Sequence, residues 1–172
     1  GALPHGPAPS PGSGSVLWRA HWGAAATPRP WRRRQGRGIL ERMCGRFTLR
    51  QPDRLAERFQ AALDLDGALP PRFNVAPAQP VPIVVATPAG RRLRLARWGL
   101  IPSWAKDPSI GHRLINARAD TLAEKPSFRA ALRSRRCLVP ADGFFEWQRA
   151  GGRKTPYFFH RRDDGLFAFA GL

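Results

Sequence analysis

Short apolar runs separated by glycine, proline and charged residues fill the chain from Met43 to Leu172. Phe47 to Leu49 predicts a short strand. Val81 to Ala86 and Leu93 to Trp98 predict two more, joined by the turn Pro88-Ala89-Gly90. Cys137 to Val139, Gly143 to Gln148, Tyr157 to His160 and Leu166 to Ala170 have strand length and composition. Arg149 to Lys154, with Gly151-Gly152 at its centre, and Arg161 to Gly165 read as hairpin turns. Helical spacing is clearest from Asp53 to Leu63, where Leu55, Phe59 and Leu63 recur every four residues with charges between them. Pro52 supplies a start signal and Gly67 follows as a stop. Ala119 to Ala123 and Ser127 to Leu132 are expected to be helical as well. Many short strands with a few short helices predict an α+β fold built on a curved, mainly antiparallel sheet.

The chain before Met43 has a different texture. Gly1 to Arg42 opens rich in Pro, Gly and Ser and turns Arg-rich, and it reads as disordered. It fits a basic arm, a transit-like peptide, or an upstream segment from a mis-assigned start, and the third is favoured on chemical grounds given below. The domain is therefore expected over 43–172. Its last strand directly precedes Leu172, which predicts a domain incomplete at the C-terminus, since a sheet ending there leaves an edge exposed.

Charge narrows the function. The 29 Lys and Arg against 12 Asp and Glu give +17. Seven of those basic residues and one acid precede Met43, so +11 remains on the rest. Such a balance favours polyanionic partners, although an Arg bias from a GC-rich coding sequence contributes to it. No run of eighteen apolar residues occurs, which argues against a membrane helix. The two cysteines, Cys44 and Cys137, make no disulfide framework and no zinc-type spacing. A reducing cytoplasm follows as the expected compartment, with no metal and no cofactor.

Five short motifs carry candidate chemistry. Met43-Cys44-Gly45-Arg46 would expose Cys44 as the N-terminus if Met43 is the initiator. An α-amine with a pKa near ~8 beside a thiol can then condense with an aldehyde to a five-membered thiazolidine. Taken alone, Cys44 equally fits a small buried hydrophobe. Arg72-Phe73-Asn74-Val75-Ala76-Pro77 reads as an apolar, proline-punctuated turn with one amide. Trp98 to Trp104 sets two aromatics around a Gly/Pro bend, and Leu114-Ile115-Asn116-Ala117-Arg118 presents an amide and a guanidinium. Asn in turns and Trp in cores are ordinary uses of both residues. In Asp142 to Trp147, strand alternation sets Glu146 on the face opposite Phe145 and Trp147. A desolvated carboxylate there would suit acid/base work, while an exposed Glu on a wet face is the plain alternative.

Met-Cys-Gly-Arg-Phe, Asn-Val-Ala-Pro, Trp-Gly-Leu-Ile-Pro, Ile-Asn-Ala-Arg-Ala and Cys-Leu-Val-Pro-Ala-Asp-Gly-Phe-Phe-Glu-Trp occur here in the order of the SRAP (SOS-response-associated peptidase) family. The chain resembles that family from Met43 to Leu172. The resemblance implies the SRAP fold and a role in DNA repair. The N-terminal cysteine would trap the ring-opened aldehyde of an abasic site in single-stranded DNA as a stable thiazolidine crosslink. Cys44 matches the reactive cysteine, Asn116 the active-site asparagine and Glu146 the catalytic glutamate. Arg46 and Arg118 match phosphate-contacting arginines. Asn74 and Pro77 match the loop lining the site, and Trp104 is a stacking surface for a base. The family name adds a cysteine-type (auto)peptidase reading in which the residues before Cys44 are removed. Retention of Gly1 to Arg42 would block the α-amine, which favours a start at Met43. The family's His-x-Arg-Met-Pro motif does not occur, and His160 is read as a strand-end residue. The expected setting is a monomer in a bacterial cytoplasm, associated with the nucleoid. The competing readings are a non-covalent single-stranded DNA binder and a cysteine peptidase.

Overall fold

The computed structural model describes residues 45–172, all within the unit Gly36–Leu172. Gly1 to Arg42 and Cys44 lie outside the described residues. Nine strands follow in chain order: β1 (Arg46–Leu49), β2 (Ala61–Leu63), β3 (Arg72–Val75), β4 (Pro80–Thr87), β5 (Gly90–Arg97), β6 (Cys137–Ala141), β7 (Gly143–Ala150), β8 (Arg153–His160) and β9 (Phe167–Gly171). Two α-helices accompany them, α1 (Leu55–Phe59) and α2 (Pro126–Ser134), with 3-10 turns at Pro52–Arg54 and Pro108–Arg113. The strands make a four-stranded sheet, ordered β3-β1-β7-β8, and a five-stranded sheet, ordered β2-β5-β4-β6-β9. All pairings are antiparallel except β2 with β5.

The fold is thus the expected α+β arrangement of mainly antiparallel strands, with two sheets in place of one. Two apolar clusters hold it together. Phe47, Val75, Val81 and Ala141, with Trp98, Phe144, Phe167 and Phe169 against them, join the four-stranded sheet to one face of the five-stranded sheet. Leu49, Leu55, Phe59, Val84, Leu93 and Leu166 form the other cluster, where α1 packs against Val84 and Leu93. Val81 and Val84 lie an odd number of residues apart on β4, so the five-stranded sheet uses both faces. Burial of these side chains contributes about 1.5–3 kcal/mol each and dominates the fold's stability.

Four expectations need correction. The predicted helix Asp53 to Leu63 ends at Phe59. Gln60 adopts the left-handed conformation (φ 50°, ψ 50°), and the Arg91 guanidinium donates to the Phe59 carbonyl at 3.0 Å. The chain then runs parallel to β5 as β2, leaving Leu63 64% exposed, so the last residue of the helical series never reaches the core. Ala119 to Ala123 is a pair of turns instead of a helix. Thr121 N–H bonds Arg118 C=O, Glu124 N–H bonds Thr121 C=O, and Lys125 is held extended before Pro126, so the helix begins only there. Arg161 to Gly165 is not a hairpin turn, because β8 and β9 belong to different sheets and this segment carries the chain between them. In addition, Arg72 to Val75, read as a turn, is strand β3 on the edge beside β1.

Candidate functional site

β1 and β7 organise the site. Arg46 pairs with Phe145 and Phe47 with Phe144. Cross-strand partners share a face and neighbours alternate. Phe47 and Phe144 point at the five-stranded sheet, as their ring contacts with Phe169 at 6.1 Å and 5.9 Å show. Glu146 lies two residues beyond Phe144, on that same face, half-buried and paired with Tyr157 of β8. Phe145 and Trp147 occupy the opposite face with ring centres 6.3 Å apart, so Glu146 has the orientation its alternation predicts. Arg46 belongs to the Phe145 face and donates to the Asn74 side-chain oxygen at 2.9 Å. This bond ties two sequence-predicted residues together, through the β1–β3 pairing.

Trp98 connects the remaining motifs. Its ring packs on Phe47 at 5.3 Å, and its indole N–H donates to the Ile115 carbonyl at 2.8 Å. Leu100 N–H bonds the Leu114 carbonyl at 3.0 Å, so the segment leading into Asn116 is fastened to the Trp98 bend at two points. The turn containing Pro77 is fastened to the same residue, since Ala78 N–H donates to the Trp98 carbonyl at 2.8 Å and Trp98 N–H to Gln79 at 3.0 Å. Gly99 sits at φ 135°, and a Cβ there would lie 2.5 Å from the Gly111 carbonyl oxygen, so glycine is required for this close approach. Pro77 is half-buried and Asn116 exposed. Trp104 stands 57% exposed. Trp98 was legible only as part of a motif. Its organising role depends on contacts that sequence spacing does not reveal.

Arg118 is exposed and bonded to Asp120 at 2.8 Å, which holds the Asp120 carboxyl below its usual range. A phosphate at Arg118 would therefore compete with a neighbouring carboxylate. Asp142, the first residue of the Asp-Gly-Phe-Phe-Glu-Trp motif, is fully buried. It accepts from the Thr48 hydroxyl at 2.5 Å, from Arg50 Nε at 3.1 Å and from the Arg50 backbone N–H, locking β1 to the start of β7. Its role is to fix the register that sets Glu146. Burial pushes the Cys137 thiol above its usual pKa, so this cysteine is a poor nucleophile. His160 ends β8 and pairs with Asp164 at 2.8 Å, consistent with its reading as a strand-end residue. Among the described residues no group of three or more His, Cys, Asp or Glu could hold a metal, and no helix is long and apolar enough to cross a membrane.

The family model "SOS response associated peptidase (SRAP)" matches residues 43–172, and the chain belongs to this family. Among curated relatives, the abasic site processing protein YoqW of Bacillus subtilis (strain 168) is 49% identical over 133 residues, covering 76% of this chain and 59% of that protein. The abasic site processing protein HMCES of Rattus norvegicus is 38% identical over 143 residues, covering 69% and 40%. A crystal structure of a Bacteroides thetaiotaomicron protein superimposes with a TM-score of 0.65 at 30% identity, covering 74% of this chain and 58% of that one. The chain thus spans about three-fifths of the length of YoqW.

Proposed function

We propose that this protein processes abasic sites in single-stranded DNA, with Cys44 as the N-terminal residue that forms a covalent thiazolidine. The α-amine of Cys44 adds to the aldehyde carbon of the ring-opened abasic sugar, and loss of water gives a Schiff base. The Cys44 sulfur then adds to the imine carbon while its proton passes to the nitrogen, closing the ring. One water leaves, and no redox partner is needed. Glu146 shuttles the protons of ring opening and dehydration, and Asn116 hydrogen-bonds the opened sugar. Arg46, Asn74, Pro77, Trp104 and Arg118 hold the strand beside it.

The observation that carries this reading is the β1–β7 register. Arg46 faces Phe145, and one step further along each strand come Gly45 and Glu146. Cys44 directly precedes Gly45 in the chain, which supports Glu146 as its proton shuttle. Family membership, the relatives named as abasic site processing proteins and the basic charge support the same chemistry. The reaction requires a free amine on Cys44, so the active form in this reading begins at that residue and lacks residues 1–43.

The test is a denaturing gel after incubation with single-stranded DNA carrying one abasic site. Protein beginning at Cys44 is expected to give a heat-stable shifted band. The chain beginning at Gly1 and the Cys44→Ala variant give none. A folded Cys44-initiated protein that binds the DNA but yields no band would leave only a non-covalent binder.

A further inference from the structure

The β7–β8 hairpin carries a basic tip that the proposed reaction does not use. Its two-residue turn, Gly151-Gly152, has φ of 54° and 76°, values that glycine adopts without strain. This turn fixes Arg149 directly opposite Lys154 and Ala150 opposite Arg153. Like charges placed directly across a pair of strands oppose folding. Among the described residues no carboxylate lies within ion-pair distance of Arg149, Arg153 or Lys154. The chain contains no acid from Trp147 to Arg162, and every residue from Gln148 to His160 is exposed. Arg149 shares its face with Trp147 and Phe145, and Phe145 is the partner of Arg46. Lys154 Nζ lies 5.0 Å over the Trp147 ring. One sheet face therefore runs from Arg46 and Asn74 past aromatic rings to an uncompensated cationic end, about 13 Å along β7.

We infer that this hairpin tip, through Arg149 and Lys154, is a second phosphate-binding surface that engages the DNA single strand flanking the lesion. The inference rests on the reading of the protein as a single-stranded DNA processor. A basic track with interleaved aromatic rings suits a strand whose phosphates need neutralising and whose bases can stack. Phosphates also relieve the Arg149–Lys154 repulsion, so DNA binding offsets a strain that folding imposes on the tip.

The experiment measures anisotropy of a labelled single-stranded DNA without an abasic site, titrated with the full chain over a salt series. The double variant Arg149→Ala, Lys154→Ala is expected to lower the slope of log K against log salt by ~1.4, from two phosphates at ~0.7 each. Arg149→Glu converts the like-charge pair into an opposite-charge pair. It is expected to weaken binding about tenfold while the melting temperature holds or rises. An unchanged slope in the double variant, with the parent chain binding normally, overturns this inference alone. Loss of binding accompanied by a lower melting temperature in Arg149→Glu overturns it too, by making the tip a structural element. A parent chain that binds no DNA overturns it together with the reading on which it rests.

Discussion

The buried Cys137 and the proposed nucleophile Cys44 are expected to differ in reactivity. Cys137 lies in β6 opposite Gly171 of β9, and burial raises its thiol above the ordinary 9.0. A raised thiol pKa stabilises the fold below the unfolded value and loses that contribution as pH rises past it. Cys137 is therefore expected to stay protonated and slow to alkylate at pH 7.5, with iodoacetamide marking Cys44 first by peptide mass analysis. Cys137→Ala should leave crosslink yield within about twofold, because the thiolate and not the thiol is the nucleophile. Equal alkylation of both thiols in the native protein would contradict the assignment. Asp142 is the residue on which the β1–β7 register depends. Asp142→Ala strands the Thr48 hydroxyl and the Arg50 backbone N–H and unpairs the Arg50 guanidinium. Arg50 is partly exposed and can regain water, so the expected cost is about 3 kcal/mol, at the low end for a broken buried pair. Urea denaturation measures it, and a cost under about 1 kcal/mol would remove Asp142 as the organiser of the site.

At the scale of elements, Gly99 makes the sharpest demand. A side chain there meets the Gly111 carbonyl and a backbone angle that L-residues avoid. Gly99→Ala is expected to cost about 1–3 kcal/mol and to loosen the Trp98 bend from the Ile115 and Leu114 carbonyls. Since those bonds place the segment entering Asn116, crosslinking should slow about tenfold at temperatures where the variant remains folded, read as the rate of band appearance. An unaffected rate would detach Asn116 placement from this bend. The same bend shows what the sequence could and could not disclose. Strands were legible where alternation and turn residues agreed, as in β4, β5 and β7. The Glu146 face followed from alternation alone. The end of α1 was not legible, because Gln60 has no unusual local preference, and the chain turns there to gain backbone pairing with β5. The division into two sheets was equally hidden. Arg161 to Gly165 has the composition of a hairpin turn, and only the packing of Phe167 and Phe169 against Phe47 and Phe144 sends β9 to the other sheet. At the candidate site, the motifs supplied the candidate residues. Their connection through Trp98 is tertiary and could not be read from spacing.

At the scale of the whole molecule, the +17 charge has two sources with different consequences. Residues 1–42 hold six of those net charges, and the part from Met43 onward holds eleven. If the basic segment ahead of Met43 did the binding, its removal would abolish affinity together with the salt dependence. If the folded part binds, the salt dependence must survive that removal, because counterion release follows the phosphates actually neutralised and not the total charge. Cys44→Ala separates this question from the covalent step. For the Cys44→Ala protein beginning at Met43, single-stranded DNA affinity is expected to fall steeply with salt. The log–log slope should stay within about one unit of that of the chain beginning at Gly1, a difference equivalent to roughly one phosphate. Anisotropy titrations between low and physiological salt measure both slopes. A slope collapsing toward zero on removal of residues 1–42 would move DNA binding out of the SRAP domain. Arg46, Arg118 and the β7–β8 hairpin would then be solvated surface, and abasic-site capture by Cys44 would have no strand held beside it.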